Sequence, residues 1–328
     1  MIRYLIILAA FALVAPLSYC QCFSFPGSPI GGTANMGALR KGLFRANAYY
    51  YHFYSNRYCD KDNFEEHPSY DKTITNYMGG MLGYGLFKRI TLEGEFGYYI
   101  DKTQYLKDHL VQLLKIKYIR LEGLSRASIS LKYSIYSNVK KRFGCSAGLG
   151  SIIPFQTDME FRKNNPMVLW PSNGSYGILA QGVVVKENSF TGLRFFLIHR
   201  LETYFKNKHG YKFGNTYTTS LFISKHLWFP WTTGDGIWTA IVQLRNEYRD
   251  RVVKHDTIVP TDYSYIFYLS PQLNMTIMKM VNVSLIVDIP FYQYYETKQM
   301  AGNYAATLSL TVDIYKKDEP QNQQQPAE

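Results

Sequence analysis

The stretch Asn303-Tyr-Ala-Ala-Thr-Leu-Ser-Leu-Thr-Val-Asp-Ile-Tyr315 alternates without a break. Tyr304, Ala306, Leu308, Leu310, Val312 and Ile314 fall on one face. Asn303, Ala305, Thr307, Ser309, Thr311 and Asp313 fall on the other. A period of two is that of a β-strand with one apolar and one polar face. The preceding arm repeats it: Val281, Val283, Leu285, Val287, Ile289 and Phe291 alternate with Asn282, Ser284, Ile286, Asp288, Pro290 and Tyr292. Both arms exceed the usual strand of about 5–6 residues, and about 9–11 tilted residues suffice to cross a bilayer. The hairpin from Val281 to Tyr315 therefore fits a long hairpin of a soluble sandwich or two strands of a membrane barrel, and the rest of the chain must decide.

The chain begins with an export signal. Arg3 supplies the positive start, Leu5 to Val14 the apolar core, and Ser18 to Cys20 a small-residue exit broken by Tyr19. The apolar run is shorter than the roughly 20 residues of a membrane helix. Residues 1–20 are the expected signal peptide. Leu17-Ser18-Tyr19-Cys20 loosely matches a lipidation site at Cys20, against which the bulk of Tyr19 argues. Residues 21–42, with Pro26-Gly27 and Gly31-Gly32, read as an irregular segment, either a periplasmic lead-in or a short plug. Residues 316–328 are charged and Gln-rich, a tail expected to be disordered.

Of the 328 residues, 36 are Lys or Arg and 25 Asp or Glu, for a formal net charge of +11 that loss of Arg3 would reduce by one. In a cytosolic protein such a balance would raise nucleic acid as a partner. Export argues against it, and points the basic loops toward anionic lipopolysaccharide. The 29 Tyr and 20 Phe suit the aromatic girdles of a membrane barrel. Mean hydropathy is only −0.21, and past the signal no segment is apolar for 18 residues. Membrane helices are thus excluded from the reading, but strands in which only every other residue meets lipid are not. Past the signal, Cys22, Cys59 and Cys145 match neither a disulfide framework nor a metal site. Cys145 falls on an apolar strand face. Cys22 and Cys59 would pair only if the N-terminal segment reached the outer rim.

Between residues 43 and 315 the alternation predicts twelve strands. They run from about Leu43 to Ser55, Lys72 to Leu86, Ile90 to Ile100, Leu124 to Tyr136, Phe143 to Ile153, Ser175 to Val185, Phe190 to Phe205, Thr216 to Trp228, Ile237 to Arg249 and Tyr263 to Met278, with the final hairpin supplying the last two. Short connections follow strands two, four, six, eight and ten. Long polar ones follow strands one, three, five, seven and nine. Short turns on one side and long loops on the other mark an outer-membrane barrel, and a sandwich has no reason to alternate them. The expected fold is all-β: a transmembrane antiparallel up-and-down β-barrel of about 12 strands, both termini periplasmic, placed in the outer membrane. His199 and Lys225 fall on the lipid face; a charge at mid-membrane costs about 2–4 kcal/mol, so His199 would stay neutral and Lys225 would snorkel.

Gly123-Leu124 opens a strand that holds Lys132-Tyr133, and the next strand reads Ser146-Ala147-Gly148-Leu149-Gly150 and ends at Pro154. In these motifs the middle third of the chain resembles Gram-negative outer-membrane β-barrel transporters related to the phenol meta-pathway outer-membrane proteins. Ser125-Arg126 stands where that family usually has an acidic residue. The resemblance implies uptake of small, including hydrophobic, molecules without naming a substrate.

The inward face is expected to carry Arg45, Arg126, Lys132, Arg194, Arg200, Arg245 and Arg249, with Glu93, Glu95, Glu202, Glu247, Asp288 and Asp313. These residues either line a narrow permeation path or form an ion-pair network that fills the lumen, since 12 strands lie between the side-chain-filled 8-strand barrel and the open 16-strand porin. Glu202 and Glu247 lie two residues from arginines on the same face, about 7 Å along the strand. That arrangement leaves Arg126 and Lys132 of strand four least compensated locally and predicts a modest anion preference to which strand four contributes most. The alternatives are a barrel that anchors long external loops for a protein partner, or an outer-membrane hydrolase. A hydrolase needs a nucleophile and base within reach. The seven His are scattered, and Asp101 and His109 merely share a loop. No phosphate-binding Gly loop or His-Glu metal motif occurs, so no cofactor is expected.

Overall fold

The computed structural model of the chain describes residues 38–66, 69–138, 140–155, 170–188, 190–227, 236–259, 263–278 and 280–315. The expected signal peptide, most of the lead-in, the tail, and Cys20 and Cys22 lie outside them. In chain order the elements are β1 (Leu43–Ser55), β2 (Arg57–Lys61), β3 (Asn63–Glu65), β4 (Tyr70–Phe87), β5 (Ile90–Leu106), the short helix α1 (Asp108–Leu114), β6 (Tyr118–Asn138), β7 (Phe143–Pro154), β8 (Gly177–Glu187), β9 (Arg194–Tyr204), β10 (Tyr211–Lys212), β11 (Thr216–Leu227), β12 (Ile237–Arg249), β13 (Val252–Lys254), β14 (Thr257–Val259), β15 (Ser264–Ile277), β16 (Val281–Ala301) and β17 (Tyr304–Tyr315).

Twelve of these strands form one closed antiparallel barrel. Each long strand pairs with its successor, and β17 closes on β1 from Leu43↔Tyr315 to Tyr54↔Tyr304. Closure leaves no unpaired edge, as a sheet surrounded by lipid requires. No described helix is long and apolar enough to cross a membrane. The barrel crosses with strands.

Alternation sets the two faces. Along β17, Leu308 is 54% exposed and its neighbour Ser309 only 1%. The same outward apolar belt runs through Met78, Leu82, Leu92, Phe96, Ile129, Leu131, Leu149, Leu197, Leu244 and Leu285. A belt of this extent on a molecule in water would be a liability; around a closed barrel it is the surface that lipid covers. Aromatic side chains cluster at its margins, with Tyr265, Phe267, Phe291 and Tyr292 in mutual ring contact. His199 points outward, as expected, and its Nδ1 lies 2.8 Å from the Thr219 hydroxyl on the next strand.

The short turns gather at one end, where β1 begins and β17 ends, so the two described ends of the chain meet there. The long connections gather at the other end, and they carry structure that the sequence did not suggest. The third strand was expected to stop at Ile100 and the fourth to start at Leu124. Instead β5 and β6 continue as a hairpin past the apolar belt, pairing Tyr105 with Tyr118, and α1 caps it. β2 folds back to pair with the far end of β16, and β10, β13 and β14 make a separate three-stranded sheet. Cys59 and Cys145 are free thiols.

At the short-turn end the last residues of the lead-in turn into the barrel mouth. Leu39 is buried, its N–H donates to the Thr91 hydroxyl at 2.6 Å, and its side chain packs at the inward-facing Gly83.

Candidate functional site

Twelve strands with polar residues at every second position deliver their charges into one narrow space. Asp313 and Arg45 are register partners on adjacent strands, and the guanidinium donates from Nε and Nη2 to the two carboxylate oxygens, both at 2.6 Å. Lys132 on β6 donates to Glu93 on β5 at 2.7 Å, and Gln181 reaches the other Glu93 oxygen at 3.4 Å.

Higher in the barrel the pairs cross the lumen. Arg126 on β6 holds Glu202 on β9 in a two-pronged contact of 2.5 and 2.6 Å, although β7 and β8 lie between these strands in the wall. Glu202 also accepts from Tyr204 at 2.6 Å and from Arg200 Nε at 2.9 Å. Arg200 then spans to Glu95 on β5, donating to both oxygens at 3.0 and 2.8 Å. The chain Arg126–Glu202–Arg200–Glu95 is thus a chord across the barrel. A second cluster stands on the far wall. Arg245 meets Asp288 and Glu247, each at 3.0 Å, under the Tyr268 ring at 4.3 Å, and the Ser270 hydroxyl donates to Asp288 at 2.5 Å.

Three tyrosines fill the space beside the chord. Tyr49, Tyr77 and Tyr99 pack in sequence, the first pair tilted and the second edge-on, with ring centroids 5.9 and 4.9 Å apart, and each is at most 5% exposed. They lie over glycines: an added Cβ would come within 2.2 Å of the Tyr49 ring at Gly79 and 1.6 Å of the Tyr77 hydroxyl oxygen at Gly97. Toward the short-turn end one wall is apolar, with Val183, Phe196, Ile198, Phe222 and Ile241 forming a buried cluster inside the barrel. In this conformation the middle of the lumen is packed. Removing a single partner of one buried pair costs about 3–5 kcal/mol, because the other charge is left buried and uncompensated.

One expectation needs correction. Arg126 and Lys132 are not the least compensated charges, because the closed barrel supplies Glu202 and Glu93 to them from other strands. Along-strand spacing alone cannot show such partners. Arg194 shares its face of β9 with Arg200 and Glu202 and sits at the short-turn end, paired with Glu187 at 2.7 Å. Arg249 faces the lumen at the long-loop end of β12 and has no ion pair among the described residues.

Of the three tyrosines, alternation along the strand puts Tyr99 on the face of Glu93 and Glu95, but nothing in the sequence groups it with Tyr49 and Tyr77. The apolar wall was masked because both faces of β9 are apolar. Lys102, buried with its Nζ donating to the Trp170 carbonyl at 3.2 Å, was missed altogether. The register shift between Tyr99 and Lys102 breaks the alternation that would have placed it. Asp101 accepts from Asn76 at 2.8 Å, whereas His109 is exposed on α1, so the structure does not make them a catalytic pair. No group of His, Cys, Asp and Glu among the described residues could hold a metal ion.

No family model and no curated protein matches the chain. Among solved structures it is similar to an outer membrane channel from Pseudomonas putida, with a TM-score of 0.67 at 13% identity, covering 86% of this chain and 99% of that one. The transport unit of the autotransporter AIDA-I from Escherichia coli matches at a TM-score of 0.44 and 11% identity, covering 87% and 93%. LpxR from Salmonella typhimurium matches at 0.37 and 10%, covering 81% and 99%. Scores as low as the last two carry no argument. The chain has the fold of an outer-membrane β-barrel, and along almost the whole of that channel's length the two folds correspond.

Proposed function

We propose that the chain is a narrow passage for small molecules across the outer membrane, shut in this conformation by the ionic chord and the tyrosine cluster. The observation that carries this reading is the chemistry of the closure. Arg126, Glu202, Arg200 and Glu95 cross the lumen as charged, hydrogen-bonded side chains, not as an apolar plug. Ion pairs can exchange partners for water when the barrel breathes, whereas a jigsaw of Leu and Phe cannot. The likeness in fold to an outer membrane channel supports the same reading. With short turns on the periplasmic side and long loops outside, both termini would face the periplasm, and the basic loops would meet lipopolysaccharide.

The second reading is an anchor, in which the filled barrel only displays its outer loops. It is favoured by the exposure of Leu113, Leu114 and Ile116 at the tip of the β5–β6 hairpin, a surface a protein partner could cover. Planar-bilayer recording of the purified protein separates the two. The passage reading expects small, discrete conductance steps that persist when residues 107–117 are trimmed. A protein that inserts yet never conducts, intact or trimmed, would leave the anchor.

A further inference from the structure

We propose that the short-turn end of the barrel binds an anionic glycerophospholipid, through Lys186 and Lys225 on the outer face of the wall and the Lys140-Lys141 turn beside them. This rests on the proposed orientation, which puts the short turns on the periplasmic side beside the inner leaflet, and it holds whether or not the barrel conducts.

The two ends of the barrel treat their cations differently. At the long-loop end Lys107, Lys206 and Arg251 each meet a carboxylate, on Glu66, Asp256 and Glu296 respectively. In the short turns Lys88, Arg89, Lys140, Lys141, Lys186 and Lys225 are exposed, and none has an ion pair among the described residues. Glu187 is the one acid among the described residues of these turns, and Arg142 and Arg194 hold one oxygen each. Cations gathered without acids attract an anion from outside the chain.

Position decides which anion. On β11 Ser224 is buried and Ile223 is exposed, so Lys225 shares the lipid face with Ile223. On β8 Lys186 is the register partner of Phe195 and of Phe143, and Phe195 is exposed on the outer surface. The exposed Tyr136 packs on Phe143 with ring centroids 5.9 Å apart. Aromatic rings at the margin of the apolar belt mark the girdle between acyl chains and headgroups. A lysine there lays its stem along the apolar surface and carries its ammonium out to the phosphates. Lys186 and Lys225 both stand within two residues of the short-turn ends of their strands. Only β9 separates those strands in the wall, so the two lysines lie about 10 Å apart around it.

The turn beside them has a fixed shape. The Asn138 side-chain oxygen accepts from the Lys141 N–H at 2.8 Å, and the Arg142 carbonyl accepts from the Glu187 N–H at 3.0 Å. Lys186 Nζ donates to the Lys141 carbonyl at 2.7 Å, which places it against the turn and leaves its other N–H groups for a ligand. A site ordered in advance loses less freedom on binding. Phosphatidylglycerol matches both halves of this surface. Its phosphate meets the ammonium groups, and its acyl chains lie on Phe195 and Ile223.

The test is native mass spectrometry of the detergent-folded protein with phosphatidylglycerol or phosphatidylcholine of the same chain length. Wild type should retain phosphatidylglycerol about fivefold or more over phosphatidylcholine. Lys186→Gln with Lys225→Gln should bring the two lipids close to parity. Lys88→Gln with Arg89→Gln, which removes the same charge from another short turn, should keep the preference. Heat-modifiable gel migration checks that each variant is folded. Equal retention of both lipids by wild type, or the same loss in both double variants, would overturn the site. So would displacement of the lipid by an equal concentration of glycerol 3-phosphate, since the headgroup alone would then be the ligand. A peptide tag placed in α1 reads the orientation separately. Antibody labelling of intact cells without any lipid preference would sink the site and leave the orientation standing. A lysine-dependent preference without labelling would sink the orientation, and with it the inner leaflet as the source.

Discussion

At the scale of single residues, facing was legible and partnership was not. A period of two assigns each side chain of β17 to lipid or lumen because the backbone geometry leaves no other choice. Arg126 and Glu202 are 76 positions apart, and Arg45 and Asp313 are 268 apart. Nothing along one strand announces such partners, since only closure of the sheet brings them together. The same closure changes what a substitution does. Leu308→Arg places a charge in lipid, at about 2–4 kcal/mol if central. Ser309 is packed, and its hydroxyl accepts from Asn47 at 2.7 Å, so an arginine there has no open lumen to enter. The proper contrast is Ser309→Ala, which removes one hydrogen bond worth about 0.5–1.5 kcal/mol. Refolding into vesicles under graded urea should show Leu308→Arg assembling at distinctly lower denaturant than Ser309→Ala. Equal losses would mean that the strand faces the other way.

At the scale of elements, the sequence located strands well where one face had to meet lipid. β1 and β12 begin and end where the alternation does. It failed beyond the belt. The outer halves of β5 and β6 carry Lys102, Gln104, Arg120 and Glu122, a polar pattern that reads as loop, yet they pair backbone to backbone as a projecting hairpin. The glycines of β4 and β5 gave another partial signal. They mark strands, but their reason is local: Tyr77 lies against Gly97 with no room for a side chain. Overpacking such a site costs typically about 1–3 kcal/mol. Gly97→Ala should therefore lower the urea midpoint clearly. Gly182→Ala on β8 should not, because an added Cβ there meets nothing within 4 Å. If the two behave alike, the tyrosine cluster is not the constraint it looks to be.

At the scale of the whole molecule, two readings of the inward charges were open from the sequence, a path or a filled lumen. In the structure most of these charges are paired with one another, several of them between strands that are not neighbours in the wall. In the proposed passage the chord from Arg126 to Glu95 would lie across the solute's way. A passage must then open by loosening it, and the narrowest point should respond when it is cut. The most direct test is single-channel conductance of the paired variant Glu95→Gln with Arg200→Gln, which removes the far half of the chord while leaving Arg126 on Glu202. The account predicts steps severalfold larger, or far more frequent, than in wild type, from protein that still shows the gel shift of a folded barrel. Folded protein whose steps match wild type in size and frequency would contradict it.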